Sequence, residues 1–230
     1  MTQSQKTSTN NIRQDVRSGI SSKDNLKMDI PKRYCGKNLP QTQAAQRAVE
    51  IIKNGDSLFL TGAAGSGKTH LAVALANIWL ADSLKLYGKE FELLPSKGYP
   101  FFLPAIELFL KIKAVWDADD HGISEKSILD QYSSCPLLIL DDLGAEKISD
   151  WSRAVVFAML DRRHRNYKKT IITSNLTIKQ LAERFDARIA SRIAEMGSVL
   201  NLGEKDFRLG NNTKTHQISN ALGGRSCFSE

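Results

Sequence analysis

Gly62-Ala63-Ala64-Gly65-Ser66-Gly67-Lys68-Thr69 is a complete G-x-x-x-x-G-K-[ST] run, and its flanks decide how it is read. The apolar stretch Ser57-Leu58-Phe59-Leu60-Thr61 before it predicts a buried strand, and Leu71 to Leu80 after it predicts a helix. A strand, a glycine-rich turn and a helix start make a phosphate-binding loop. The glycines let successive N–H groups converge on phosphate oxygens, and the new helix adds its positive N-terminus. Lys68 suits the β- and γ-phosphates, while the hydroxyl of Thr69 suits Mg²⁺. The expected nucleotide-binding set is Gly62, Ala63, Ala64, Gly65, Ser66, Gly67, Lys68, Thr69 and the adjoining His70. The chain is thus expected to bind a nucleoside triphosphate.

Outward from the loop, strands and helices alternate. Residues 41–53 predict a helix, and Asn54-Gly55-Asp56 a turn into the first strand. Leu71, Leu75 and Trp79 recur at i, i+4 and i+8, a stripe expected to face the sheet. Residues 85–100, with Gly88, Pro95 and Gly98, read as a loop before a strand at Phe101-Phe102-Leu103. Helices are expected over 106–116, 124–132, 150–165, 178–185 and 187–195. Further strands are expected over 137–140, 170–174 and 198–202. The apolar Leu137-Leu138-Ile139-Leu140 suits a central parallel strand covered on both faces. The fold class is α/β, a parallel sheet flanked by helices.

Chemistry gathers at the ends of these strands. Strand 137–140 runs into Asp141-Asp142, and ligands of open α/β sheets bind beyond the carboxyl ends of strands. Asp141 is expected to hold Mg²⁺ with Thr69, and Asp142 to polarise the attacking water. Asn175 ends strand 170–174, where its amide could orient that water; a turn or helix-capping role is the alternative. Arg188 and Arg192 lie one helical turn apart, which by itself also describes an ordinary solvated helix.

The net charge of +7 is uneven. Residues 1–33 hold seven basic side chains against Asp15, Asp24 and Asp29, with few large apolar residues. Such a leader is expected to be disordered alone, and Ile12, Val16 and Ile20 could form a short apolar stripe for a partner. Arg162-Arg163-His164-Arg165 with Lys168-Lys169 forms a second basic cluster, compatible with a nucleic-acid partner or with a solvated helix end. Cys35, Cys135 and Cys227 show no disulfide or metal spacing, which suits a reduced, cytoplasmic setting. No apolar stretch approaches a membrane span.

The order of phosphate loop, Asp-Asp strand, Asn-ended strand and arginine helix resembles an AAA+ ATPase. More specifically, several segments resemble the bacterial helicase-loader family (DnaC and DnaI type) and the related IstB-type transposition ATPases. They are Gly65 to His70, Leu137 to Lys147 with Ser149-Asp150-Trp151, Thr170 to Asn175, Arg188 to Arg192 with Asp206-Phe207-Arg208, and Ile30-Pro31-Lys32-Arg33-Tyr34. The resemblance implies a P-loop NTPase with five parallel strands, ATP and Mg²⁺ as cofactors, and Arg192 as a finger acting on a neighbouring subunit's ATP. It divides the chain into a basic segment 1–29, an ATP-binding core 30–208 and a polar tail 209–230, without a C-terminal lid domain. It implies a replicative DNA helicase or a transposase as client, single-stranded DNA as a further partner, and a homo-oligomer in the ATP state. Asp142, where many such hydrolases have Glu, implies slow or partner-dependent turnover. A small-molecule P-loop kinase and a nucleotide-gated adaptor without hydrolysis are the competing readings. The kinase gives the Asp142, Asn175 and Arg192 order no task.

Overall fold

The computed structural model describes residues 30–34, 38–87, 99–117, 124–145 and 149–203. Five parallel strands form one sheet: β1 (Ser57–Thr61), β2 (Phe101–Pro104), β3 (Leu137–Asp141), β4 (Lys169–Ser174) and β5 (Gly197–Asn201), in the order β2-β3-β4-β1-β5. All pairings are parallel, with Phe59 opposite both Ile172 and Val199, and Ile139 opposite Phe102 and Ile171. The expected strands thus all form, and the expected helices follow within a few residues. They are α1 (Gln43–Asn54), α2 (Lys68–Tyr87), α3 (Ala105–Asp117), α4 (Glu125–Ser134), α5 (Asp150–Arg165), α6 (Ile178–Arg184) and α7 (Ala187–Met196).

Alternation along the strands sends side chains into two cores. Leu58, Leu60, Leu137, Ile139 and Ile171 meet α1 and α2 on one face. Phe59, Leu138, Leu140 and Ile172 meet α3, α4, α5 and α7 on the other. Helix starts are fixed locally. Thr42 accepts the Ala45 N–H at 3.1 Å, and Ser124, Ser149 and Thr177 each form a capping box. Such caps satisfy N–H groups that the helix itself leaves unpaired.

Two expectations need correcting. The stripe of Leu71, Leu75 and Trp79 is too narrow a description of α2, which is buried on most sides from Leu71 to Ala81 while Trp79 is only half-buried. Small residues (Ala72, Ala74, Ala76) let this helix pack closely, beside α1 on the same face of the sheet. The basic cluster at 162–169 is also not a free cationic surface. Arg163 is fully buried, and its guanidinium donates to the carbonyls of Tyr132 (2.7 Å), Cys135 (3.0 Å) and Lys169, and to Thr170 Oγ1 (2.9 Å). Arg162 pairs with Asp130 at 2.8 Å and Arg165 with Asp161 at 2.9 Å. The sequence run is basic, but Arg163 is spent inside the fold, while Arg162 and Arg165 keep surface guanidinium groups paired with carboxylates.

The expectations for 1–29, for the loop across 88–98 and for a tail without a lid beyond 203 lie outside the described residues. No described helix is long and apolar enough to cross a membrane.

Candidate nucleotide and metal site

Adjacent strands β1 and β4 send their chains to opposite edges of the sheet, β1 through α2 to β2 and β4 through α6 and α7 to β5. That divergence opens a crevice at their carboxyl ends, the usual ligand position in such sheets. A cleft of about 390 Å³ lies there, and Gly65, Lys68, Thr69, Asp141, Asp142 and Asn175 all line it. Gly65 and Asn175, 110 positions apart in the chain, therefore meet at one place.

The loop is backed by the chain leaving β5: Ala63 N–H donates to Gly203 O at 3.1 Å, and Leu202 N–H to Thr61 O at 2.8 Å. Gly62 is required by that close approach, since a Cβ there would sit 2.8 Å from Gly203 O. Gly67 is different: its φ is +90°, and a Cβ would meet no atom within 4 Å. Its glycine keeps open space in front of the backbone, as a phosphate cradle needs.

Lys68 is only 6% exposed, and its ammonium donates to Gly62 O (2.9 Å), Ala63 O (2.8 Å) and Asn175 Oδ1 (2.7 Å). The other end of the same amide, Asn175 Nδ2, donates to Asp142 Oδ1 at 3.0 Å. Asn175 thus bridges the loop lysine and the second aspartate, and the capping role falls to Thr177 instead. Asp142 is exposed and sits in the left-handed region at φ 58°, a conformation Asp tolerates better than most residues.

Asp141 is buried and bonded by the hydroxyls of Thr173 (2.7 Å) and Thr69. Burial raises its carboxyl above the ordinary range; these hydrogen bonds oppose the rise, the Asp142 charge adds to it, and the Arg33 charge opposes it. A buried carboxylate beside a threonine hydroxyl offers hard oxygen ligands, the set that Mg²⁺ takes when substrate phosphates and waters complete its shell. No group of three or more His, Cys, Asp or Glu able to cage a metal occurs among the described residues. The residues therefore fit a metal that arrives with a nucleotide. When bound, that ion would supply charge neutralisation at the phosphates.

His70 also lines the cleft, and its Nε2 lies 2.9 Å from Asn38 O, so that nitrogen carries the proton and ties the N-terminal stretch to α2. Arg192 lies elsewhere. It does not line the cleft, and its guanidinium bonds Asp161 (3.1 Å), Glu195 (2.7 Å) and His164 Nδ1 (2.8 Å). Arg188 is mostly exposed, paired with Asp186 at 2.9 Å and 5.2 Å from the Phe157 ring.

Three residues were not singled out as site residues from sequence. Thr173 Oγ1 donates to Asp141 and accepts the Asp142 N–H at 2.8 Å, so one hydroxyl positions both aspartates. A threonine inside a strand gives no local signal of this; only the β3–β4 pairing creates it. Arg33 and Tyr34 line the cleft as well, although their segment was noticed only through a family resemblance.

Comparison with known proteins agrees with this geometry. A family model described as IstB-like ATP binding protein matches residues 33–215. The Phage-like element PBSX protein XkdC of Bacillus subtilis is 31% identical over 149 residues, 62% of this chain and 48% of that protein. The Replicative helicase loader DnaC of Escherichia coli is 24% identical over 152 residues, 66% of this chain and 56% of that one. The chain spans about half the length of these curated relatives. The crystal structure of the DnaC helicase loader matches with a TM-score of 0.59 at 28% identity, covering 74% of this chain and 99% of that one. The phosphate loop, the five-stranded parallel sheet and a family match over most of its length agree: the chain belongs to the IstB-like ATP binding protein family and has an AAA+ P-loop fold.

Proposed function

We propose that this chain binds and hydrolyses Mg-ATP and uses the cycle as a release switch while delivering a replicative helicase to single-stranded DNA. The observation that carries the chemistry is the convergence of Lys68, Thr69, Asp141, Asp142 and Asn175 on one cleft. Lys68 would exchange its loop carbonyls for β- and γ-phosphate oxygens. Thr69 and Asp141 would hold the metal. Asp142, exposed and anchored by Asn175, is the carboxylate placed to accept a proton from the attacking water. Once Lys68 leaves Asn175 Oδ1, that amide is released to meet the water or the terminal phosphate.

The helicase-loader role is supported by the DnaC relatives and by the DnaC structure. A homo-oligomer with Arg192 acting in trans belongs to the same reading. Arg192 must then exchange Asp161 and Glu195 for a neighbour's phosphate, so assembly and release of those ion pairs are coupled. The second reading, less supported by these relatives, is a transposition helper with the same ATPase core, in keeping with the IstB-like family match. In either role, residues 1–28 are the proposed docking element for the client.

A pull-down with the Mg-ATP-bound full chain separates the readings. Recovery of a replicative helicase, lost when residues 1–28 are deleted, supports the first. Recovery of a transposase instead overturns it.

A further inference from the structure

The cationic side chains lining the cleft are Lys68 and Arg33. Lys68 belongs to the loop motif, and Arg192 is held away by two carboxylates. Arg33 is unassigned. It sits in a short 3-10 turn, Lys32–Tyr34, just after Ile30, which is buried in the core formed with α1 and α2. Tyr34 N–H closes the turn onto Pro31 O at 2.8 Å, and its ring packs against the same core. The Arg33 guanidinium lies 4.5 Å from the centroid of that ring. A cation over an aromatic face loses orientational freedom while remaining hydrated and available. Arg33 is exposed, so its charge faces the cleft without a desolvation cost.

Position along the cleft follows from its lining: Arg33 shares the cleft with Thr69, Asp141, Asp142 and Asn175, the residues gathered at the metal end. Bound ATP would bring about four negative charges to a site that already holds Asp141 and Asp142. Lys68 and one divalent ion leave that sum negative, and a guanidinium matches a phosphate's oxygens with two parallel hydrogen bonds.

We propose that Arg33 is a phosphate ligand acting in cis, engaging the terminal phosphate of ATP in the cleft. This rests on the nucleotide-binding reading of the same site. Arg33 would then separate ATP from ADP, because the diphosphate lacks the group it reaches.

The test is equilibrium titration of the full chain with Mg-ATP and Mg-ADP, each displacing a fluorescent nucleotide, for wild type, Arg33→Gln and Arg33→Lys. Arg33→Gln is expected to weaken ATP by about tenfold or more and ADP by less than about twofold. Arg33→Lys should recover part of the ATP loss, since charge remains but the fork does not. Equal losses for ATP and ADP, or none, overturn the proposal while leaving the site intact. A wild-type chain that binds neither nucleotide overturns the site and the proposal together. Unchanged melting temperatures in both variants show that the exposed turn carries no structural penalty.

Discussion

The same sheet buries a cation at each end, and the two are held in similar ways. Lys68, beyond the carboxyl ends, is gripped by two loop carbonyls and one side-chain oxygen. Arg163, at the amino ends of β3 and β4, is gripped by four carbonyls and the Thr170 hydroxyl. The first opens on a cleft with two carboxylates; the second is sealed from solvent, with Cys135 Sγ 3.2 Å away. Burial lowers the Arg163 pKa, an effect that Cys135 opposes, and burial raises the Cys135 thiol. A buried, fully bonded cation is therefore not by itself a site. What separates the two ends is whether the partners can be exchanged for a ligand.

The largest expected effect falls on the sealed end. Arg163→Leu leaves the carbonyls of Tyr132, Cys135 and Lys169 without their donor, which should cost about 3–5 kcal/mol of stability. For a chain of this size the melting temperature should fall by roughly 10 °C. Nucleotide affinity per folded molecule should hold, as measured by titration well below the melting point. A variant that melts normally but binds ATP poorly would reverse the assignment of the two ends.

Arg192 is the intermediate case, partly exposed and ion-paired, and it sharpens the comparison. If it acts in trans, Arg192→Ala should bind ATP normally and lose hydrolysis by ~10³-fold. Mixing it with Lys68→Ala should restore some turnover, because some interfaces then pair a sound loop with a sound finger. Were Arg192 a fastening like Arg163, the variant would melt lower instead, and no mixing ratio would restore activity despite shared assemblies.

The open end answers differently. Lys68→Ala should weaken Mg-ATP binding by about 100-fold while the melting temperature stays within about 2 °C, because the lost bonds go to a loop that solvent reaches. Titration beside a thermal melt reads both quantities. Unchanged affinity would remove the cleft from consideration.

The two ends also differ in how well the sequence announces them. Lys68, Thr69, Asp141, Asp142 and Asn175 are legible because each follows a strand signal, and parallel strands deliver their ends to one edge. The sheet is legible for a related reason: short apolar runs, turn residues and capping hydroxyls are local signals. Arg163 is not, because its neighbours in sequence are Arg162, His164 and Arg165, and only packing of α5 against β3 and β4 turns it inward. Thr173 is hidden likewise, since a strand threonine gains both aspartates only across the β3–β4 pair. Arg33 lies far from the motif in sequence and reaches the cleft through the anchoring of Ile30.

The smallest expected effect concerns Asp141, where function and stability oppose each other. Burial raises its folded-state pKa above the value it has when unfolded. Between those two values the folded chain binds more protons, so stability falls as pH rises through that window, and the full cost persists above it. Asp141→Asn removes the ionisation and keeps an oxygen to accept the Thr173 hydroxyl. At neutral pH the variant should therefore melt about 2–4 °C above wild type, the equivalent of ~1 kcal/mol. The difference should vanish as pH falls below the raised pKa towards the ordinary carboxylate range, where wild type is also neutral. Its Mg²⁺-dependent gain in ATP affinity should be lost over the same neutral range, because a neutral amide is a poor ligand for a hard cation. Thermal melts with and without Mg-ATP across pH measure both. A variant that melts below wild type at neutral pH would mean that the hydrogen bonds to the ionised form outweigh burial, and that the open end is tuned for stability as the sealed end is.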